Sequence, residues 1–356
     1  MLEEALKVKL SRIRNTLADT GAEALLVTHP ANVRYLSGFR APEDGRVLVT
    51  YKDAVLITDG RYTAQAEEES RLPVEIFGDS WTEHLAVKLE GRSAAFEAEH
   101  VTYALFETLQ EKLKGTLRPT EGLVAELRLV KTPDEIDLLR QAAKLTDDAF
   151  AHILGFIRAG RSEVEVALEL ERFMRAAGAE GAAFEIIVAS GYRSAMPHGT
   201  ASSKTIETGE LVTLDFGAKV EGYHADMTRT VAVGELTDAH TQLYAAVLRA
   251  QEAAVQALAP GKTGKEMDAV ARDSLTEDGL GEYFSHSLGH GVGLEIHEGP
   301  RLSKLSEGIL KPGMSVTIEP GAYIPGDAGV RIEDLAVLTE TGFELLSHSP
   351  KELITL

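Results

Sequence analysis

The sequence contains no cysteine, which excludes disulfide scaffolds, thiol nucleophiles and cysteine-held zinc or iron–sulfur sites together. Any bound metal must then rest on oxygen and imidazole donors. Positive charge is also scarce: 36 basic residues against 56 acidic ones leave a net charge of -20, a field that repels phosphate backbones and anionic lipid surfaces. Neither nucleic acid nor a membrane surface is an expected partner. No run approaches the roughly 20 apolar residues of a membrane span, and the stretch MLEEALKVKLSRIRNTLADTGAEALLV interleaves charges with no apolar h-region, so no secretory signal is read there. These absences leave a cytoplasmic enzyme or binding protein.

What is present is ordinary globular composition, 44% hydrophobic and 26% charged over 356 residues, long enough for more than one folding unit. Leu6, Leu10, Ile13 and Leu17 recur at helical spacing, after which EALLVTH, RVLVT, AVLITD, VEIFG and SAAFEAEH read as short strands between helical stretches. This α/β alternation ends near ELRLVKTPDEIDLL, where Thr132, Pro133 and Glu135 compose a capping box opening a long helix. The expected division is a mixed α/β domain over 1–126 and an α+β domain over 127–356.

The second domain shows an internal repeat at an offset of about 100 residues. Gly160-Arg161-Ser162 with Glu165 matches Gly261-Lys262-Thr263 with Glu266, and GELVTLDFGA matches GMSVTIEPGA. The expectation is two similar halves, each a helix pair followed by a hairpin, packed about a pseudo-two-fold axis. LVTLD and SVTIE are apolar strands that end in an acid, so Asp215 and Glu319 sit where an unpaired carboxylate is costly. Taken singly, either acid is explained by an exposed strand end or an arginine partner. Both halves repeat the arrangement, however, and each adds a second acid, Asp226 in HADMTRT and Glu333 in GVRIED. Four converging carboxylates repel one another unless divalent cations neutralise them.

Five of the 11 histidines, His198, His224, His286, His290 and His297, fall around the same hairpins. His290 lies in SLGHGVGLEIHEG, whose glycines allow close approach of backbone and imidazole to a ligand. The GHGVG segment has neither GxGxxG spacing nor a GK[ST] end, and His297-Glu298 begins no HExxH, so phosphate-loop and zincin readings fail.

LDFGA with HADMTRT, SLGHGVGLEIH, TIEPG and GVRIED, in this order, resemble the pita-bread metallopeptidases, specifically the branch of prolidase and aminopeptidase P; ANVRYLSGF also resembles that branch's N-terminal domain. The resemblance implies a creatinase-like N-terminal domain and two divalent metal ions per subunit. Their ligands would be Asp215, Asp226, His290, Glu319 and Glu333, with Asp226 and Glu333 bridging. Manganese suits an oxygen-rich set with one imidazole, while cobalt, zinc and iron stay open. Creatinase shares the fold without the metal set, so a complete set disfavours metal-free catalysis or a purely binding role. Methionine aminopeptidase shares the ligands but usually lacks a large N-terminal domain.

The same resemblance makes His198, in AMPHGTAS, and His297 catalytic, donating to the oxyanion and to the leaving nitrogen. Glu319 would handle the proton of the attacking water. Arg331 is a candidate partner of the ligand carboxylates, and Phe184 and Tyr323 are candidates for an apolar pocket around the proline ring. His224 and His286 receive no role. The expected substrates are small peptides with proline at the second position, hydrolysed by a homodimer whose GFRAPEDG loop (38–45) reaches a neighbour's site. Dipeptidase is favoured over removal of the first residue from longer chains, with Arg40 and Arg46 as candidates for receiving a dipeptide's carboxylate.

Overall fold

The computed structural model describes residues 2–356, with residues 2–5 described by backbone alone. It divides into one unit ending at Arg128 and a second, Leu129–Leu356. The expected boundary after residue 126 falls within the short helix Ala125–Arg128, which stays whole in the first unit.

In the first unit a six-stranded mixed sheet is built outward from Ala24–Val27, which pairs antiparallel with Arg46–Thr50 and parallel with Ala94–Glu97. Ala24–Val27 and Ala94–Glu97 are buried along their whole length, as apolar runs with parallel neighbours should be. Val74–Phe77 and Leu117–Thr120 form the edges. The latter carries Pro119, which an edge strand tolerates because it needs no ladder donor there.

The second unit repeats itself. Helices Pro133–Ile153 and Glu163–Ala176 precede the antiparallel strands Ile187–Ser190, Glu210–Phe216 and Met227–Val233. Helices Asp238–Ala257 and Gly264–Glu277 precede Gly289–Gly291, Ser315–Ile318 and Asp334–Leu338. Capping boxes form at Thr132/Glu135, Ser162/Glu165 and Thr263/Glu266, fixing where each of these helices begins. Hydrogen bonds repeat as well: Gly160 N–H donates to Ile206 O and Gly261 N–H to Leu310 O, both at 2.9 Å.

Each half encloses its own apolar cluster. Phe150, Leu170, Met174, Leu214 and Phe216 are fully buried in the first, and Val247, Met267, Val316 and Ile332 in the second. A fully buried side chain of this size contributes roughly 1.5–3 kcal/mol. No described helix is long and apolar enough to cross a membrane.

The backbones of the second half meet so closely that glycine is obligatory. A Cβ on Gly289 would lie 2.0 Å from Thr317 O, and one on Gly291 would lie 1.9 Å from Gly299 O. Both contacts are with backbone, which cannot swing away as a side chain does. Gly289→Ala is therefore expected to destabilise the second unit by about 1–3 kcal/mol, read as a lower denaturation midpoint. An unchanged midpoint would show that these strands separate freely.

A candidate dinuclear metal centre

Strand register brings the acids together. Thr228 pairs with Asp215 across the first hairpin, leaving Asp226 just beyond the last rung. Asp334 pairs with Ile318 across the second, so Glu319 and Glu333 lie together past its end. Glu333 N–H donates to Thr228 O at 3.0 Å, joining the two hairpins, and Glu319 N–H donates to Leu288 O at 2.9 Å, bringing in the strand that carries His290. Asp215, Asp226, His290, Glu319 and Glu333 line one cavity of about 340 Å³.

The ligand atoms of Asp226, His290 and Glu333 lie within 4.8 Å of one another. His290 Nε2 is 3.2 Å from Glu319 Oε1 and 3.6 Å from Asp226 Oδ2. Its Nδ1 faces Gly291 O at 3.1 Å; a carbonyl only accepts, so Nδ1 carries the proton and Nε2 is left to ligate. Thr228 Oγ1 donates to Glu333 Oε2 at 2.6 Å, and Thr317 Oγ1 to Glu319 Oε1 at 2.9 Å. Asp215 Oδ1 and Glu333 Oε1 are buried with no hydrogen-bond partner among the described residues. Unpaired buried carboxylate oxygens are costly, and two of them beside a cluster of acids fit divalent cations.

Electrostatics point the same way. Burial, then the charges of Glu333, Asp215 and Glu319, pushes the Asp226 carboxyl well above its ordinary range. Burial, then Glu319 and Asp215, does the same to Glu333. Burial also raises Asp215, against the pull of Arg331. Glu319 goes the other way: burial would raise it, but the hydrogen bond and charge of His290 bring it down to about 2.

Arg331, 3% exposed, organises the surroundings. It donates from Nη2 to Asp215 Oδ2 at 2.6 Å, from Nε to Thr228 Oγ1 at 3.0 Å, and from Nη1 to Tyr323 Oη at 2.8 Å and Pro197 O at 3.1 Å. One guanidinium thus holds the Asp215 carboxylate directly and that of Glu333 through Thr228.

Tyr323 is not in the cavity wall. It is 5% exposed, and its hydroxyl, held by Arg331, faces His286 Nε2 at 2.9 Å. His286 Nδ1 lies 2.8 Å from Ser287 O, so Nε2 is the acceptor and the tyrosine donates. His286 lines the cavity, whereas His224 braces the Gly293 carbonyl with its Nδ1 at 3.0 Å. Phe184, His198 and His297 line the cavity, and the His297 ring stands edge-on to His290 with centroids 4.4 Å apart.

Sequence reasoning passed over Arg301, which also lines the cavity and is exposed. It lies on the strand Glu298–Leu302 immediately after His297, and that proximity to an expected catalytic histidine was the available signal.

Comparisons with known proteins agree with this geometry. The model of metallopeptidase family M24 matches residues 137–340, and that of the creatinase/prolidase N-terminal domain matches residues 9–130. The Xaa-Pro dipeptidase of Pyrococcus horikoshii is 40% identical, over 97% of this chain and 98% of that protein. A solved Xaa-Pro dipeptidase from Bacillus anthracis is 47% identical and superposes with a TM-score of 0.96 over 99% of this chain and 100% of that one. An X-Pro aminopeptidase from Thermotoga maritima is 39% identical, with a TM-score of 0.89 over 96% and 100%.

Adding manganese to chelator-treated protein is expected to raise its melting temperature, since cations relieve the repulsion; at 100 times the dissociation constant one ion stabilises by about 2.7 kcal/mol. Glu333→Ala should retain the fold by circular dichroism while losing that shift and most bound metal in elemental analysis. Full metal content in this variant would exclude Glu333 as a ligand.

Proposed function

The chain belongs to metallopeptidase family M24, and on that premise we propose that it hydrolyses the Xaa-Pro bond of dipeptides. The observation that carries this reading is the cavity's composition: five ligand-type side chains, three further histidines and the exposed cation Arg301 line a single pocket. Asp215, Asp226, His290, Glu319 and Glu333 would hold two divalent ions, for which the oxygen-rich donor set favours manganese. When bound, such a pair acidifies water and polarises the scissile carbonyl.

The protein's own groups do the rest in this reading. The Glu319 carboxylate, kept ionised by His290 beside it, takes a proton from the attacking water. The imidazoles of His198 and His297 face the cavity and supply the donor to the carbonyl oxygen and the proton to the leaving nitrogen. The Xaa-Pro bond is a tertiary amide without N–H, so recognition by strand pairing fails and the ring must be held by shape. Phe184, Ile187 and Ile296 offer apolar wall for it.

Arg301 supports dipeptides over longer chains. A dipeptide ends in a carboxylate just beyond proline, where a longer peptide continues as neutral backbone, and a guanidinium binds a carboxylate through charge-assisted bonds. Removal of the first residue from longer peptides is the second reading, favoured by the likeness to the Thermotoga maritima X-Pro aminopeptidase. The acidic net charge supports a protein whose partners are these peptides, with neither nucleic acid nor membrane among them, and we place it in the cytoplasm as a homodimer. Light scattering at micromolar concentration is then expected to give twice the monomer mass; a fully active monomer would refute the dimer.

With manganese present, an Xaa-Pro dipeptide should be cleaved faster than the same sequence extended by one residue. Arg301→Ala should raise KM for the dipeptide roughly tenfold, the loss of one charge-assisted hydrogen bond, and change cleavage of the tripeptide little. Faster cleavage of the tripeptide by the unmodified protein would establish the aminopeptidase reading instead.

A further inference from the structure

The two halves of the second unit begin their second helices alike: Ser162 bridges to Thr205 as Thr263 bridges to Ile309. At the next position they part, with Glu163 in the first half and Gly264 in the second. Gly264 has no room for a side chain, since a Cβ there would lie 2.1 Å from Arg301 O. In the first half this position carries the side chain of Glu163, which is fully buried.

That carboxylate accepts five hydrogen bonds, all from the segments on either side of His198. Oε1 accepts from Ser190 N–H at 2.8 Å and Ser190 Oγ at 2.9 Å. Oε2 accepts from Arg193 Nε at 2.9 Å, Ser202 N–H at 3.0 Å and Ser202 Oγ at 2.6 Å. Arg193 extends the clamp by donating from Nη2 to Thr200 O at 2.6 Å. The helix does not need Glu163 as a cap, because Ser162 and Glu165 already form the capping box.

His198 stands between these two clamped flanks. It is exposed on a loop at the cavity, and among the described residues nothing hydrogen-bonds its imidazole. Its place is therefore set by the backbone that carries it. A buried carboxylate is costly unless its acceptor sites are filled, so Glu163 can be accommodated only while both flanks stay in register.

We propose that Glu163 is a positioning residue for His198, locking the loop between Ser190 and Ser202 so that the imidazole meets the substrate at a fixed place. The inference rests on the reading of His198 as a group that acts on the peptide. Glu163→Gln tests it, because the amide keeps the shape but turns one acceptor into a donor that confronts N–H and O–H donors. Manganese-loaded E163Q should keep its metal and its circular dichroism. Its kcat on an Xaa-Pro dipeptide should fall roughly ten- to hundredfold, as misplacement of a reacting group by about 1 Å does, with KM changed less.

That fall should vanish in a His198→Ala background. Independently of activity, the His198 ring resonance, identified by its loss in His198→Ala, should shift or broaden in E163Q. Ser202→Ala, which removes one bond of the five, should move the same resonance less and in the same direction, and it carries the test if E163Q does not fold. Equal loss of kcat in both backgrounds, or a His198 resonance unmoved in whichever variant folds, would overturn the proposal. A shifted resonance in a protein inert toward every Xaa-Pro peptide would support this inference while sinking the functional reading.

Discussion

The second unit is organised around a repulsion. Asp215, Asp226, Glu319 and Glu333 share one cavity, and the fully buried Glu333 has an oxygen that nothing among the described residues satisfies. One buried arginine, Arg331, opposes this concentration of negative charge directly, through Asp215. Burial multiplies the repulsion, because field lines that water would screen run through a low-dielectric interior. A fold that assembles such a cluster at the ends of two hairpins makes sense if cations complete it. Hairpin register, the glycines at 289 and 291 and the hydroxyls of Thr228 and Thr317 all serve to hold these carboxylates at fixed distances.

Much of this was legible in the sequence because the chain says it twice. Capping boxes at Ser162 and Thr263, and acids ending LVTLD and SVTIE, recur in matched order, and repetition separates a built site from a chance carboxylate. The structure gathers all five expected ligands into one cavity. Residues whose role depends on long-range packing were not legible. Tyr323 reads as an aromatic at a strand, suited to a proline pocket, yet its hydroxyl is engaged by Arg331 and His286. Arg301 falls outside the motifs read from the sequence, and the course of its strand beside His297 brings it into the cavity. The strand Leu117–Thr120 escaped the apolar pattern because Arg118 and Pro119 make up half of it.

The repeat also shows how one architecture acquires two unlike walls. Corresponding backbone bonds survive in both halves, which preserves the frame that carries the acids. Side chains diverge at the starts of the second helices, Glu163 in one half and Gly264 in the other. In one half a glycine lets the strand of Arg301 pack directly on a helix start, and in the other a buried glutamate holds the loop of His198. Symmetry thus places the acids, and its local breaking gives the cavity two unlike walls.

The central claim is that the buried acids are a two-cation site. Anomalous diffraction at the manganese edge, from crystals grown with that metal, tests it most directly. Two manganese peaks are expected in the cavity, each within coordination distance of carboxylates drawn from Asp215, Asp226, Glu319 and Glu333, with His290 Nε2 on one of them. Fully occupied manganese elsewhere on the protein, with the cavity acids bound only to one another and to Arg331, would contradict it.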